Sequence, residues 1–179
     1  MISEQAKNSF TRLFEEAARS RLVVDASHRC ELVPLEPAAS ATLPGADLVV
    51  LTIVSIDFRL LLLLRFDEDE ATRRYYLGDR GERSLSEAFM EVGNLCCGAI
   101  NQQLVETFPD LGMSTPYVLA ADCLGYLDEL SPAWLRGWRI TVDETIQLAA
   151  TLCVCASVPL DFAASCAPAM ESAGELELF

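Results

Sequence analysis

Glu91 and Asn94, in the stretch EVGNLCCGAIN, place a carboxylate and a carboxamide three residues apart among neighbours that are mostly apolar or small. A carboxamide can accept from a water molecule and donate at the same time, and a carboxylate one helical turn earlier offers negative charge to a cation. Such a pair can hold a water and a charged partner in place without forming a covalent bond. Covalent catalysis would require a serine or cysteine set beside a histidine, and the single histidine, His28, has no identifiable acid or nucleophile partner. It reads as a hydrogen-bonded or exposed strand residue. Cys96 and Cys97 adjoin the pair, but Cys96 falls on the apolar side of the helix and no cationic residue stands near to activate either thiol.

The element that must carry the pair is a long helix. Ser84 followed three residues later by Glu87 is a capping-box signature, the helix runs to about Thr107, and Pro109 and Gly112 stop it. At 100° per residue, Glu87, Glu91, Asn94, Gly98 and Asn101 share a stripe roughly 80° wide. Leu85, Phe89, Val92, Cys96, Ala99 and Ile100 take the opposite, dry side. A solvated polar face mixes bases with acids at i,i+4, whereas this one has no base between Arg83 and the end of the helix. Gly98 in mid-stripe costs about 1 kcal/mol of helix propensity, and its missing side chain would let another backbone come close.

The other elements follow from periodicity. Ile2, Ala6, Phe10, Leu13 and Ala17 recur at helical intervals over residues 2–19, with Ser3 as the cap. RLVVDASHRCELVPLE is extended in character, and the Pro- and Ala-rich stretch after it makes a loop. DLVVLTIVSI and DFRLLLLLRFDED, separated by almost nothing, predict an antiparallel hairpin of central strands. After the long helix, MSTPYVLAAD is extended, SPAWLRG is a connection, and GWRITVDETIQLAATLCVCAS gives two strands turning near Asp143 and Glu144. The fold class is therefore α+β: a six-stranded antiparallel sheet with two long helices packed on one face. Residues 1–157 form one domain, and the acidic, aperiodic stretch 158–179 reads as a mobile tail, with LELF at its end as a docking element.

Thirteen basic against twenty-seven acidic residues give a formal charge of −14, which opposes nucleic acid and anionic membrane surfaces. The apolar run in FRLLLLLRF is far short of the roughly 20 residues a membrane helix needs. The first residues lack the basic start and cleavage site of a secretory signal, so the seven cysteines read as thiols in a reducing cytoplasm. Their spacings fit no zinc site.

Glu91-x-x-Asn94 followed by small residues, with Pro116 after twenty-one intervening positions, resembles the motif of the CheC/CheX-type chemotaxis phosphatases. That motif is Asp or Ser, three residues, Glu, two residues, Asn and, a little over twenty residues on, Pro. The helix and strand order is similar to the CheX arrangement over about residues 1–157, and the single Glu-x-x-Asn is similar to the one-site CheX form. Here position 87 is Glu, the proline lies one residue early, and no Gly follows it. The resemblance implies a homodimer that dephosphorylates the aspartyl-phosphate of a CheY-like receiver. Asn94 would position water and Glu91 would pair with the receiver's lysine, these two being the catalytic residues. Glu87, Gly98, Asn101 and Pro116 would contact the partner, and Mg²⁺ would come with the receiver, the chain needing no cofactor of its own. The departures at position 87 and in the proline spacing fit the alternative, a non-catalytic CheC-like module that binds a receiver or a flagellar-switch component.

Overall fold

Helix α1 spans Glu4–Arg21 in a computed structural model that describes residues 1–36, 45–78 and 83–164. The Ser3 hydroxyl accepts from the Ala6 N–H at 3.1 Å, satisfying one orphan donor of the first turn. Ala6, Phe10, Leu13 and Ala17 form the buried stripe that periodicity predicts, and Phe14 is buried beside them.

Strands β1 (Cys30–Leu35), β2 (Asp47–Val54) and β3 (Phe58–Phe66) follow. β2 and β3 form the expected hairpin, from Asp47 opposite Phe66 to Val54 opposite Arg59. Leu60 through Leu64 are all buried, as befits a strand covered on both faces. Helix α2 (Glu70–Leu77) and helix α3 (Leu85–Leu104) come next. The short strands β4 (Gly112–Met113) and β5 (Tyr117–Ala120), a 3₁₀ segment (Ala121–Leu130), β6 (Trp134–Val142) and β7 (Ile146–Ala156) complete the order.

The sheet is antiparallel throughout, in the order β1-β6-β7-β3-β2, with β4 and β5 both paired to the outer side of β2. It has seven strands among the described residues, not six. MSTPYVLAAD does not hold one strand, because Pro116 has no N–H to give the ladder. Ser114 keeps the crossing bonded instead, donating its N–H to the Thr52 carbonyl at 2.9 Å and accepting the Thr52 N–H on its hydroxyl at 3.0 Å. SPAWLRG is not a connection either, since Trp134 already opposes Val154 in β6.

α1 and α3 pack side by side on one sheet face, with alternate residues of β2, β3, β6 and β7 beneath them. Trp138, fully buried, sits 4.5 Å from Phe14 between ring centroids and donates from Nε1 to Glu15 at 3.2 Å. The 3₁₀ segment closes the other face, setting Leu124 and Leu127 over Leu48, Val50, Leu61, Leu63 and Cys153. It adds one more layer than sequence periodicity indicated.

Residues 158–164, read from sequence as the start of a mobile tail, continue the packed body. Leu160 bridges Ile2, Ser9 Oγ donates to the Phe162 carbonyl at 3.2 Å and accepts from Ala164 N–H at 3.1 Å, and the Phe162 ring meets Phe10 and Phe108, each at 5.1 Å. The terminal LELF lies outside the described residues. No helix among the described residues is long and apolar enough to cross a membrane.

Candidate functional site

The capping box fixes where the motif stands. Ser84 Oγ accepts from Glu87 N–H at 3.1 Å, and Glu87 returns its carboxylate to Ser84 N–H at 2.9 Å. The Ser84 N–H, then its hydroxyl, hold the Glu87 carboxyl below the usual range. Glu87 therefore stays exposed but has its carboxylate turned back into the cap.

Two turns of helix then carry the outward stripe. Glu91 and Asn94 are both exposed. No hydrogen bond among the described residues engages the Asn94 carboxamide. Glu91 is different, because its Oε2 lies 2.6 Å from the Arg83 guanidinium in an ion pair about half exposed on both sides. Beside the stripe opens a cleft of about 1070 Å³ lined by Arg83, Glu87, Glu91 and Asn94 on one side, by Thr115 and Pro116 on another, and by Tyr75 to Gly78 of α2 and its cap. The Ser114 crossing on β2 and the pairing of Tyr117 with Val50 hold Pro116 at the wall.

Four residues that the sequence brings under suspicion thus share one cleft: Glu87, Glu91, Asn94 and Pro116. Gly98 and Asn101 lie further along α3 and do not line it. A Cβ built at Gly98 would meet nothing within 4 Å, leaving open space above the helix. Asn101 is half-buried, with its Oδ1 enclosed and without a partner among the described residues.

The glycine that the fold depends on is Gly93. A Cβ there would stand 2.9 Å from Leu51 Cδ1 and 3.3 Å from Val49 Cγ1, so α3 lies directly against β2 at this point. This close approach props the stripe at its height above the sheet. Gly93→Val should destabilise the chain by about 1–3 kcal/mol through overpacking, read as a lower urea midpoint with an unchanged slope. A wild-type midpoint would mean that the leucines beneath can yield.

The α2 wall escaped sequence reading. Asp69 caps it, accepting from Thr72 N–H at 2.9 Å and Thr72 Oγ1 at 2.8 Å, and Gly78 ends it at φ 59°. The Tyr76 hydroxyl donates to the Leu22 carbonyl at 2.7 Å, and burial pushes its phenol far up. The Tyr75 oxygen accepts from Val24 N–H at 3.1 Å and lies 2.9 Å from His28 Nδ1. These bonds tie α2 to the chain after α1 and make the cleft wall firm.

The thiols near the motif are buried. Burial pushes the Cys97 thiol up to about 12 and raises Cys96 as well, which leaves no thiolate at neutral pH. Among the described residues no three His, Cys, Asp or Glu side chains group as metal ligands. The arrangement can bind a cation at Glu91 and hold a water or an oxyanion at Asn94.

No protein-family model matches the chain, and no curated protein matches it. Solved structures do. The chain is similar to a chemotaxis protein CheX from Vibrio vulnificus, with a TM-score of 0.58 and 15% identity over 81% of this chain and 98% of that one. The chain has a CheC/CheX-type fold. It is similar also to a CheX–CheY–BeF₃–Mg²⁺ complex from Borrelia burgdorferi, with a TM-score of 0.57 and 12% identity over 83% of this chain and 96% of that one. The middle domain of FliM from Vibrio alginolyticus shares the fold at a TM-score of 0.52 and 10% identity, over 84% of this chain and 92% of that one. At such identities the likeness is one of fold, and residue roles rest on the cleft itself.

Proposed function

We propose that the chain is a CheX-like phosphatase acting on the aspartyl-phosphate of a CheY-like receiver in two-component signalling. The observation that carries this reading is the exposure of Glu91 and Asn94 together, one turn apart, on a cleft that Pro116 also lines. A fold shared with a CheX crystallised with CheY, BeF₃ and Mg²⁺ supports it.

In the reaction, a water oxygen bonds to phosphorus while the bond from phosphorus to the aspartyl oxygen breaks, giving inorganic phosphate and a free carboxylate. The water's proton leaves with the products. The transition state is loose and spreads charge over the phosphoryl oxygens, so catalysis is largely positioning and electrostatics. Mg²⁺ carried by the receiver would neutralise part of that charge. Asn94 supplies the positioning, its carboxamide oxygen accepting from the attacking water while its NH₂ donates to a phosphoryl oxygen. Glu91 pairs with a cationic side chain of the receiver and so sets the register of Asn94. Glu87 contributes through the cap that fixes the helix start, and open space over Gly98 admits the partner's backbone.

The test is the lifetime of phosphate on a panel of CheY-like receivers, with and without the chain. A shortened lifetime supports the proposal, and an unchanged one for every receiver sinks it. A second reading, a non-catalytic receiver- or switch-binding module, draws on two observations: Glu87 is spent on the cap, and the fold is shared with a FliM middle domain. It predicts binding without shortening. Either activity places the chain in the cytoplasm.

A homodimer belongs to the same proposal, because β1 and the β4/β5 side are the two sheet edges left unpaired among the described residues, with Val33 and Leu119 exposed on them. Light scattering should report about twice the 19.6 kDa chain mass. A monomer at all concentrations would remove the dimer and leave the cleft standing.

A further inference from the structure

Glu91 is already occupied. Its Oε2 pairs with Arg83 at 2.6 Å, and both side chains face the cleft that holds Asn94 and Pro116. Local structure directs this pairing. Arg83 immediately precedes the N-cap, outside the helix, and Glu87 and Glu91 are the two acids of the stripe near it. Glu87 is bent back to Ser84 N–H at 2.9 Å, however. Arg83 therefore reaches past it to the next acid on the stripe.

We infer that Arg83 is a gate on Glu91, and that docking a partner exchanges one cation for another on the same carboxylate. The inference rests on the proposed receiver docking, in which Glu91 accepts a partner's cationic side chain. Both cations on one carboxylate would stand close enough to repel strongly in a site that docking dries. The incoming cation must therefore displace Arg83. Specificity arises from that competition: only a partner whose cation is fixed in place by its own fold regains what the displaced guanidinium loses, whereas a mobile surface lysine does not. The gate discriminates between ordered and disordered cations without any added contact.

The size of the effect follows from exposure. With each side chain about half exposed, the pair favours the closed arrangement by about 1.4- to 5-fold, the usual range for surface ion pairs. Partner affinity is reduced by the fraction of molecules in which Glu91 is free. Opening the gate permanently should tighten binding by roughly two- to sixfold.

The experiment measures binding of a CheY-like receiver, loaded with beryllofluoride and Mg²⁺, to the wild-type chain, Arg83→Gln, Glu91→Gln and the double variant. Arg83→Gln should bind roughly two- to sixfold tighter at low salt, with turnover at saturating receiver unchanged. The gain should vanish in the Glu91→Gln background, since the gate then has nothing to hold. It should also shrink at about 1 M salt, where the screening length falls to about 3 Å. Arg83→Lys should restore part of the gate. Weaker binding by Arg83→Gln, unchanged binding, or a gain that survives Glu91→Gln would each overturn the exchange while leaving receiver docking intact. If the wild-type chain and Arg83→Gln both bind no receiver in the panel, the proposed function and the gate fall together.

Discussion

Asn94→Ala is expected to lower receiver dephosphorylation by at least about 100-fold, the scale set by loss of a positioned reactant, without unfolding the protein. The side chain is exposed and unengaged among the described residues, so its truncation should change stability by no more than about 0.5 kcal/mol. Receiver binding should persist, because the charge at Glu91 remains. Glu91→Ala should behave differently, weakening binding and rate together as the docking charge disappears. The contrast between the two variants separates a positioning residue from a docking residue. If Asn94→Ala retains full activity on a receiver that the wild-type chain dephosphorylates, the outward stripe of α3 is a wet helix face and the proposed mechanism fails.

The parts of this site that were legible in sequence are those governed by short-range rules. Ser84 and Glu87 form a reciprocal cap, so the start of α3 at Leu85 could be read directly. From that start, 100° per residue carries Glu91 and Asn94 outward together and Phe89 and Cys96 inward. The β2/β3 hairpin was legible because its strands are dense in branched apolar residues with almost nothing between them. The turn at Asp143 and Glu144, both at positive φ, was marked by its charge between two apolar runs.

What escaped was set by contacts distant in sequence, or by periods other than 3.6 and 2. Helix α2 has one buried residue, Thr72, and thus no apolar stripe to detect. Its visible signal was the Asp69 cap ahead of Thr72. The 3₁₀ segment repeats every three residues and carries Gly125 in its middle, which masks the apolar side it lays on the sheet. Gly98 stands out in sequence as the odd residue of a polar stripe, whereas Gly93 lies on the dry side with no polar contrast to mark it, and its role shows only with β2 beneath it. The pairing of Arg83 with Glu91 spans eight positions and falls outside the i,i+3 and i,i+4 rules. It becomes readable only when Glu87 is known to be engaged by the cap.

Phe89→Ala should bring the largest loss of stability connected with the site. The Phe89 ring is buried, lies stacked on Phe66 at 4.0 Å with an interplanar angle of 5°, and touches Tyr76 at 4.6 Å. It joins three elements at one point: α3, which presents the motif, β3 in the middle of the sheet, and α2, which walls the cleft. Truncating such a ring costs about 3–5 kcal/mol, from lost transfer and the cavity left behind. For a chain of this length, a melting temperature roughly 6–20 °C lower follows. Phe89→Leu refills part of the space and should lose markedly less. Loss should also be felt locally, since Tyr76 would have one ring fewer against it and Glu91 sits only two residues beyond Phe89. At temperatures where Phe89→Ala remains folded, its receiver affinity should therefore fall, although no atom of Phe89 lines the cleft. A wild-type melting temperature for Phe89→Ala would show that α3 is held to the sheet by other contacts. The close approach at Gly93, and not the Phe66, Phe89 and Tyr76 stack, would then be what supports α3.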